Sequence, residues 1–315
     1  MEKAIPLALL ASICTATSSV CQRLGARDSQ PSGLDLWLIF RLARRPVWLL
    51  GIASMILGFV FQVTALHYGA LALVQPILAL ELLFVFGYMA IMGSSRRGRA
   101  VVRRRDWLAA AAMSAGLGLF LFAASPHGGR PHAPASLWLL AGLLTLGVVV
   151  AGLALAFGLR HGSARSEPQR AAILGAMTGI AWGFVAAVIK EFSYHLDGGL
   201  AGIFTNWSVY VLIGAGAASL LLASHALASG PLAASQPGFT ILDPLSASLL
   251  GLFLFGERFQ AGTEDLALEA LALALLVAGV SALSHSHLIV GEEASARPVG
   301  ETNDSRAIRE RPSTG

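Results

Sequence analysis

Apolar stretches of about 20 residues, separated by short polar segments, run along nearly the whole chain. That length crosses a hydrocarbon core of roughly 30 Å as an α-helix. The pattern predicts about nine membrane-spanning helices, over 4–22, 46–67, 71–92, 107–124, 136–158, 171–190, 204–228, 232–255 and 265–285. The first is read as a membrane helix rather than a cleaved leader, because further membrane helices follow it and Val20 before Cys21 suits lipoprotein cleavage poorly. Residues 125–135 and 191–203 read as short loops, and 287–315 as a polar, disordered tail of mixed charge.

Within this alternation one pattern occurs twice. Ala65, Leu66, Gly69, Leu71, Ala72, Gln75 and Pro76 recur at a constant offset as Ala226, Leu227, Gly230, Leu232, Ala233, Gln236 and Pro237. The chain holds only seven Gln, so the repeated Gln-Pro pair weighs more than the common Ala and Leu. Each copy joins one apolar segment to the next, which is the mark of a transporter built from two repeats. The organisation expected is a first membrane repeat over 1–124, a linking helix and loop over 125–169, a second repeat over 170–286, and the tail.

Charge placement adds an orientation. With an outside N-terminus, the cytoplasmic segments 23–45, 93–106, 159–170 and 286–315 hold 18 of the 22 Lys and Arg; Lys3, Arg130, Lys190 and Arg258 fall toward the other side. This is the asymmetry of the positive-inside rule, so the C-terminus is expected in the cytoplasm and the protein in the cell membrane. Helices 71–92 and 232–255 then run in opposite directions, which makes the repeats inverted. Arg96, Arg97, Arg99, Arg103, Arg104 and Arg105 are a topology anchor facing lipid headgroups, not a nucleic-acid patch.

Composition agrees: 55% hydrophobic residues, 13% charged and a mean hydropathy of +0.68 leave no room for a soluble catalytic domain. No nucleophile triad, Walker loop or metal-ligand spacing occurs, so neither an enzyme nor a bound cofactor is expected. The partners expected are the lipid bilayer and a small-molecule solute or a cation.

The candidate chemistry is polar groups inside the apolar spans, where an ionised side chain costs about 2.5–3.5 kcal/mol. Glu81 and Asp243 lie mid-helix in the two repeats, Asp243 aligning with Leu82, one residue from Glu81. Either carboxylate could carry a proton or bind a cation; as a packing device it would instead be neutral or hydrogen-bonded. Pro76, Pro237 and Pro244 are expected helix hinges. Gln75 and Gln236 sit beside the hinges, and Gln62 and Trp182 are expected cavity-wall residues. Lys190 reads either as an interfacial snorkelling partner of Glu191 or as a cation facing the cavity, toward an anionic group or a carboxylate. No metal ligand is assigned, with Glu81 and Asp243 the candidates for a cation transporter. Thr15, Thr17, Ser18 and Ser19 suit close helix packing, and Trp37, Trp48, Trp107, Trp138 and Trp207 are placed at the membrane interfaces. Gly175, Gly179 and Gly183 form a GxxxGxxxG stripe, expected to pack within the chain, with a homodimer as the alternative.

The second copy continues through Asp243-Pro244-Leu245-Ser246-Ala247 to Gly251-Leu252-Phe253-Leu254-Phe255-Gly256-Glu257-Arg258. This resembles the EamA-like repeat of the drug/metabolite transporter superfamily, with a Pro mid-helix and a closing Gly-Glu. The layout is most similar to the NIPA-type magnesium transporters, through Arg160-His161-Gly162, Trp48-Leu49-Leu50-Gly51 and the hairpin ending at Pro76. The NIPA pattern's acid in the second helix is replaced by Gly58-Phe59, and its closing Glu after the third helix by Ser94-Ser95-Arg96. The resemblance implies an all-α polytopic membrane fold and alternating-access transport of a small solute, proton-coupled, with magnesium or another divalent cation as the alternative cargo. A non-transporting membrane scaffold is the third reading.

Overall fold

The computed structural model describes residues 2–26, 44–95, 104–124, 129–158, 166–229, 232–258 and 263–284. Segments 27–43, 96–103 and 285–315, with the Arg160-His161-Gly162 step, Gly230, Trp37 and most of the arginine cluster, lie outside the described residues. Among the described residues the chain is helical, without a β-strand. The helices are α1 (Ala4–Ala26), α2 (Pro46–Tyr68), α3 (Leu71–Leu78), α4 (Glu81–Ser95), α5 (Arg104–Ala124), α6 (Ala135–Gly158), α7 (Ser166–Ser193), the short α8 (Gly199–Thr205), α9 (Trp207–Ala228), α10 (Leu232–Leu250) with a π-helical extension (Gly251–Phe255), and α11 (Thr263–Ser284).

Among the described residues six spans are long and apolar enough to cross a membrane: Ala4–Gln22, Pro46–Tyr68, Leu71–Tyr88, Ala135–Gly158, Pro168–Ser193 and Trp207–Ala226. The other three expected spans are also helical, as α5, α10 and α11. α5 opens on Arg104, Arg105 and Asp106, α11 carries Glu264, Asp265 and Glu269, and α10 holds Gln236 and Asp243. The outer surfaces of α2, α6 and α9 are apolar, with Leu50, Ile56, Leu139, Leu143, Leu146, Ile213 and Leu221 all exposed. An apolar exterior of this kind suits hydrocarbon and not water, and the molecule is a membrane-embedded helical protein.

Interior contacts depend on small residues, as expected where lipid removes the hydrophobic drive between helices. The glycine stripe of α7 lies against α10: a Cβ on Gly175, Gly179 or Gly183 would run into the backbone of Ser235, Gly238 or Ala247. The stripe therefore packs within the chain. Gly116 and Gly279 bring α5 and α11 together in the same way, and Gly51 and Gly58 seat α1 on α2. Ser12, Thr15 and Thr17 bond back to carbonyls of their own helix, and the Thr17 hydroxyl also meets that of Tyr88 at 2.9 Å.

Gly179→Val should push α7 off α10 and cost more than the roughly 1–3 kcal/mol of ordinary overpacking, because its neighbour is backbone. Gly147→Ala, at a position with open space around it, should leave the melting temperature in detergent unchanged or raised. Thermal denaturation of the two variants beside the wild type checks the contrast; equal losses would contradict the packing described.

Candidate functional site

α3 begins without a cap of its own. The preceding residues are Gly69 and Ala70, and neither offers a side-chain oxygen to the free N–H groups of the first turn. Leu71 and Ala72 are fully buried, so water cannot serve them. Their partner is Glu257, 186 and 185 residues away in sequence: Leu71 N–H donates to Oε1 and Ala72 N–H to Oε2 at 2.9 Å. The Lys190 ammonium donates to the same Oε1 and, at 3.2 Å, to the Gly69 carbonyl, and sits 4.9 Å from the Phe255 ring centroid. Lys190 and Glu257 are 2% and 3% exposed, so this is a buried ion pair completed by helix N–H groups.

Local backbone chemistry delivers Glu257 to this point. The π-helical turn ends at Gly256, whose φ of 64° is left-handed and unstrained only for glycine. Gly251 leaves room for the carboxylate, since a Cβ there would collide with Glu257 Oε2. Arg130 pins the turn from outside, its backbone N–H donating to Phe255 O at 2.7 Å and its Nε to Leu254 O at 2.9 Å. Beneath it, Trp138 is buried edge-on against Phe255 and Trp207, whereas Trp107 and Trp207 are exposed. Trp138 is therefore a core residue and not the interfacial anchor its position suggested.

Lys190 corrects the snorkelling reading. It is sealed inside the bundle, and its carboxylate is Glu257 and not the neighbouring Glu191. Glu191 is buried too and faces His132, whose Nδ1 lies 2.9 Å from its Oε1, and His195, whose Nε2 is 3.7 Å away. The sequence shows no metal-ligand spacing, yet these three residues converge. Tyr194 stands between the two groups; burial, with the Glu257 and Glu191 carboxylates, pushes its phenol above the ordinary range.

A second polar centre lies deeper. α3 contains Pro76 and ends at Leu78; the chain tightens through Ala79 and Leu80, with Leu80 N–H reaching Ile77 O and Leu82 N–H reaching Ala79 O. Glu81 thus opens α4, in the first turn, where the helix dipole favours a carboxylate. It lies ten residues beyond Leu71, whose N–H Glu257 caps. The Ser19 hydroxyl donates to Glu81 Oε1 at 2.9 Å, with Thr15 also in reach. Asp243 on α10 is within electrostatic range of Glu81, and its backbone lies against Gly179 and Gly183. Asp243 Oδ1 is buried with no hydrogen-bond partner among the described residues, and so is Nε2 of Gln75. Gln62 and Trp182 are half-buried, Trp182 against the core. Pro76 and Pro244 are buried, and the side chains of Gln236 and Pro237 lie outside what the structure describes.

No family model and no solved structure matches the chain. It is similar to an uncharacterized protein of Corynebacterium glutamicum, 27% identical over 288 residues, which covers 90% of this chain and 95% of the other. The similarity thus spans nearly the full length of both.

Removing one member of a buried pair costs about 3–5 kcal/mol, more than the 0.5–2 kcal/mol of a lost helix cap. Glu257→Gln and Lys190→Met should each lower the unfolding free energy in detergent by about 3–5 kcal/mol. The double variant should lose clearly less than the sum of the two. Strict additivity would show that the two side chains act independently.

Proposed function

We propose that the protein is a secondary transporter of the drug/metabolite type, which moves a small solute by alternating access and couples it to protons through Glu81 and Asp243. The observation that carries this reading is the placement of two carboxylates, from separate halves of the chain, within electrostatic range of each other in an apolar bundle, one of them with a buried, unpartnered oxygen. Like charges so placed repel, and a proton or a cation between them removes the repulsion. The unpaired Asp243 Oδ1 and Gln75 Nε2 add an acceptor and a donor for a ligand. The broken α3–α4 segment supports the same reading, because discontinuous helices line the substrate sites of such transporters.

In this reading the chain crosses the plasma membrane nine times with its N-terminus outside, and the Gln-Pro segments are the hinges of two inverted repeats. Lys3 near Tyr68, Arg130, Lys190 and Glu257 gather at one end of the bundle, the end that charge placement puts outside. There the Lys190–Glu257 clasp joins α7, the α10 turn and α3, and the conformation is closed. Transport requires this clasp to part while the opposite end shuts. Among the expected site residues Lys190 is thus a gate element rather than a solute ligand.

A divalent cation such as Mg²⁺ is the second reading. Glu81, Asp243 and the Ser19 hydroxyl offer oxygen ligands, the type a hard cation takes, with water completing the shell.

Purified protein in liposomes loaded with a pH-sensitive dye separates the two. A proton-coupled carrier should change lumenal pH when its solute is added from a broad metabolite panel. Glu81→Gln should abolish that pH change while leaving solute counterflow. A cation path should admit Mg²⁺ without any organic solute and lose that flux in Glu81→Ala and Asp243→Ala. Folded protein with neither flux would refute both, in favour of a non-transporting scaffold.

A further inference from the structure

We propose that His132, Glu191 and His195 form a binding site for a divalent d-block cation, Zn²⁺ foremost, at the clasp end of the bundle. Their ligand atoms lie within 4.8 Å of one another. Glu191 Oε1 is 2.9 Å from His132 Nδ1 and 3.7 Å from His195 Nε2. A tetrahedral Zn²⁺ with N and O ligands at about 2.0–2.2 Å sets those ligands roughly 3.4 Å apart, a value these two separations bracket.

The surroundings supply what such a site needs. The imidazoles stack with centroids 5.0 Å apart and 28° between planes, both turned toward the same carboxylate oxygen. Asn206 fixes the state of one of them: its Oδ1 accepts from Ser208 N–H to cap α9, so its Nδ2 donates to His195 Nε2 at 2.9 Å. Nε2 is therefore the unprotonated nitrogen, the one whose lone pair can pass from Asn206 to a metal. Binding exchanges that one hydrogen bond for a coordinate bond. Ala133 N–H holds the other oxygen, Oε2, at 3.5 Å, a distance at the limit of hydrogen bonding. Glu191 is a buried carboxylate, and the adjacent Lys190 gives its ammonium to Glu257 and Gly69, so the charge that balances Glu191 comes from the histidine side, where a bound cation would supply it. The His132 side chain is half exposed, which gives an ion an entry path and a water ligand. Two imidazoles and one carboxylate select Zn²⁺, Co²⁺ or Ni²⁺ over Mg²⁺.

The site is separate from Glu81 and Asp243. It ties the end of α7 to the segment before α6, which Arg130 already fastens to the turn carrying Glu257. A bound ion would brace the closed end from the side.

The test uses the full chain in detergent, stripped with a chelator and titrated with ZnCl₂, with MgCl₂ as the comparison. Calorimetry and metal analysis should find one Zn²⁺ per chain, with a raised melting temperature that Mg²⁺ does not reproduce. His132→Ala and His195→Ala should each weaken binding by at least about tenfold, the lower end of what even an outer-shell change costs. His285→Ala combined with His287→Ala should leave it unchanged. His132→Ala, at a half-exposed position, keeps the test valid if His195→Ala does not fold. Absent stoichiometric binding, unaltered affinity in His132→Ala, or loss with the His285 and His287 changes would each overturn the proposal. None of these readouts involves transport, so failure here leaves the transport reading standing.

Discussion

A carboxylate removed from water needs donors, and a helix start buried in a bundle needs acceptors. Glu257 and the first turn of α3 answer each other, with Lys190 supplying the balancing charge. The rest of the described end is arranged around that exchange. Gly256 turns the chain, Gly251 clears the space, Arg130 fastens the turn, and Trp138 fills the floor beneath. Because α3 has no local cap, its first residues are held by a segment from the far half of the chain. Separating the two halves there would expose unpaired N–H groups and an unpaired ammonium together.

Two polar layers follow one another down the bundle. The upper layer is saturated: Lys190 and Glu257 bond each other, the N–H groups of Leu71 and Ala72 and the Gly69 carbonyl, which suits a closure. The lower layer is not, since Asp243 Oδ1 and Gln75 Nε2 stay unpaired and Glu81 is met by hydroxyls. Saturation marks a part that holds, and incompleteness marks a part that receives. This difference, more than fold resemblance, is the reason to place a cargo or coupling ion at the lower layer.

Hydrophobic patterning made the helices legible, and six expected spans coincide with the long apolar ones to within a few residues. Glu81 was legible from its cost in an apolar run, and the break before it from Pro76. The partner of Lys190 was not, because it lies 67 residues on and depends on a left-handed turn that no periodicity reveals. Its signal was present as the closing Gly256-Glu257, recognisable as a family ending but silent about what the acid touches. The histidine cluster was hidden for a related reason: Glu191 and His195 are a helical i, i+4 pair, while His132 arrives from 59 residues away.

The clasp also breaks a likeness between the two halves. At the constant offset that relates the two Gln-Pro copies, Glu257 corresponds in sequence to Arg96. A guanidinium has only donors, so it cannot accept from the free N–H groups of a helix start. If the protein alternates between two closed forms, as the transport reading proposes, the opposite end closes by some other chemistry and the two forms need not be equal in energy. In the transport reading, a hinge kept in both copies and a lock kept in one give the carrier a built-in resting preference. Such a carrier would be less a symmetric rocker than a door with a single latch.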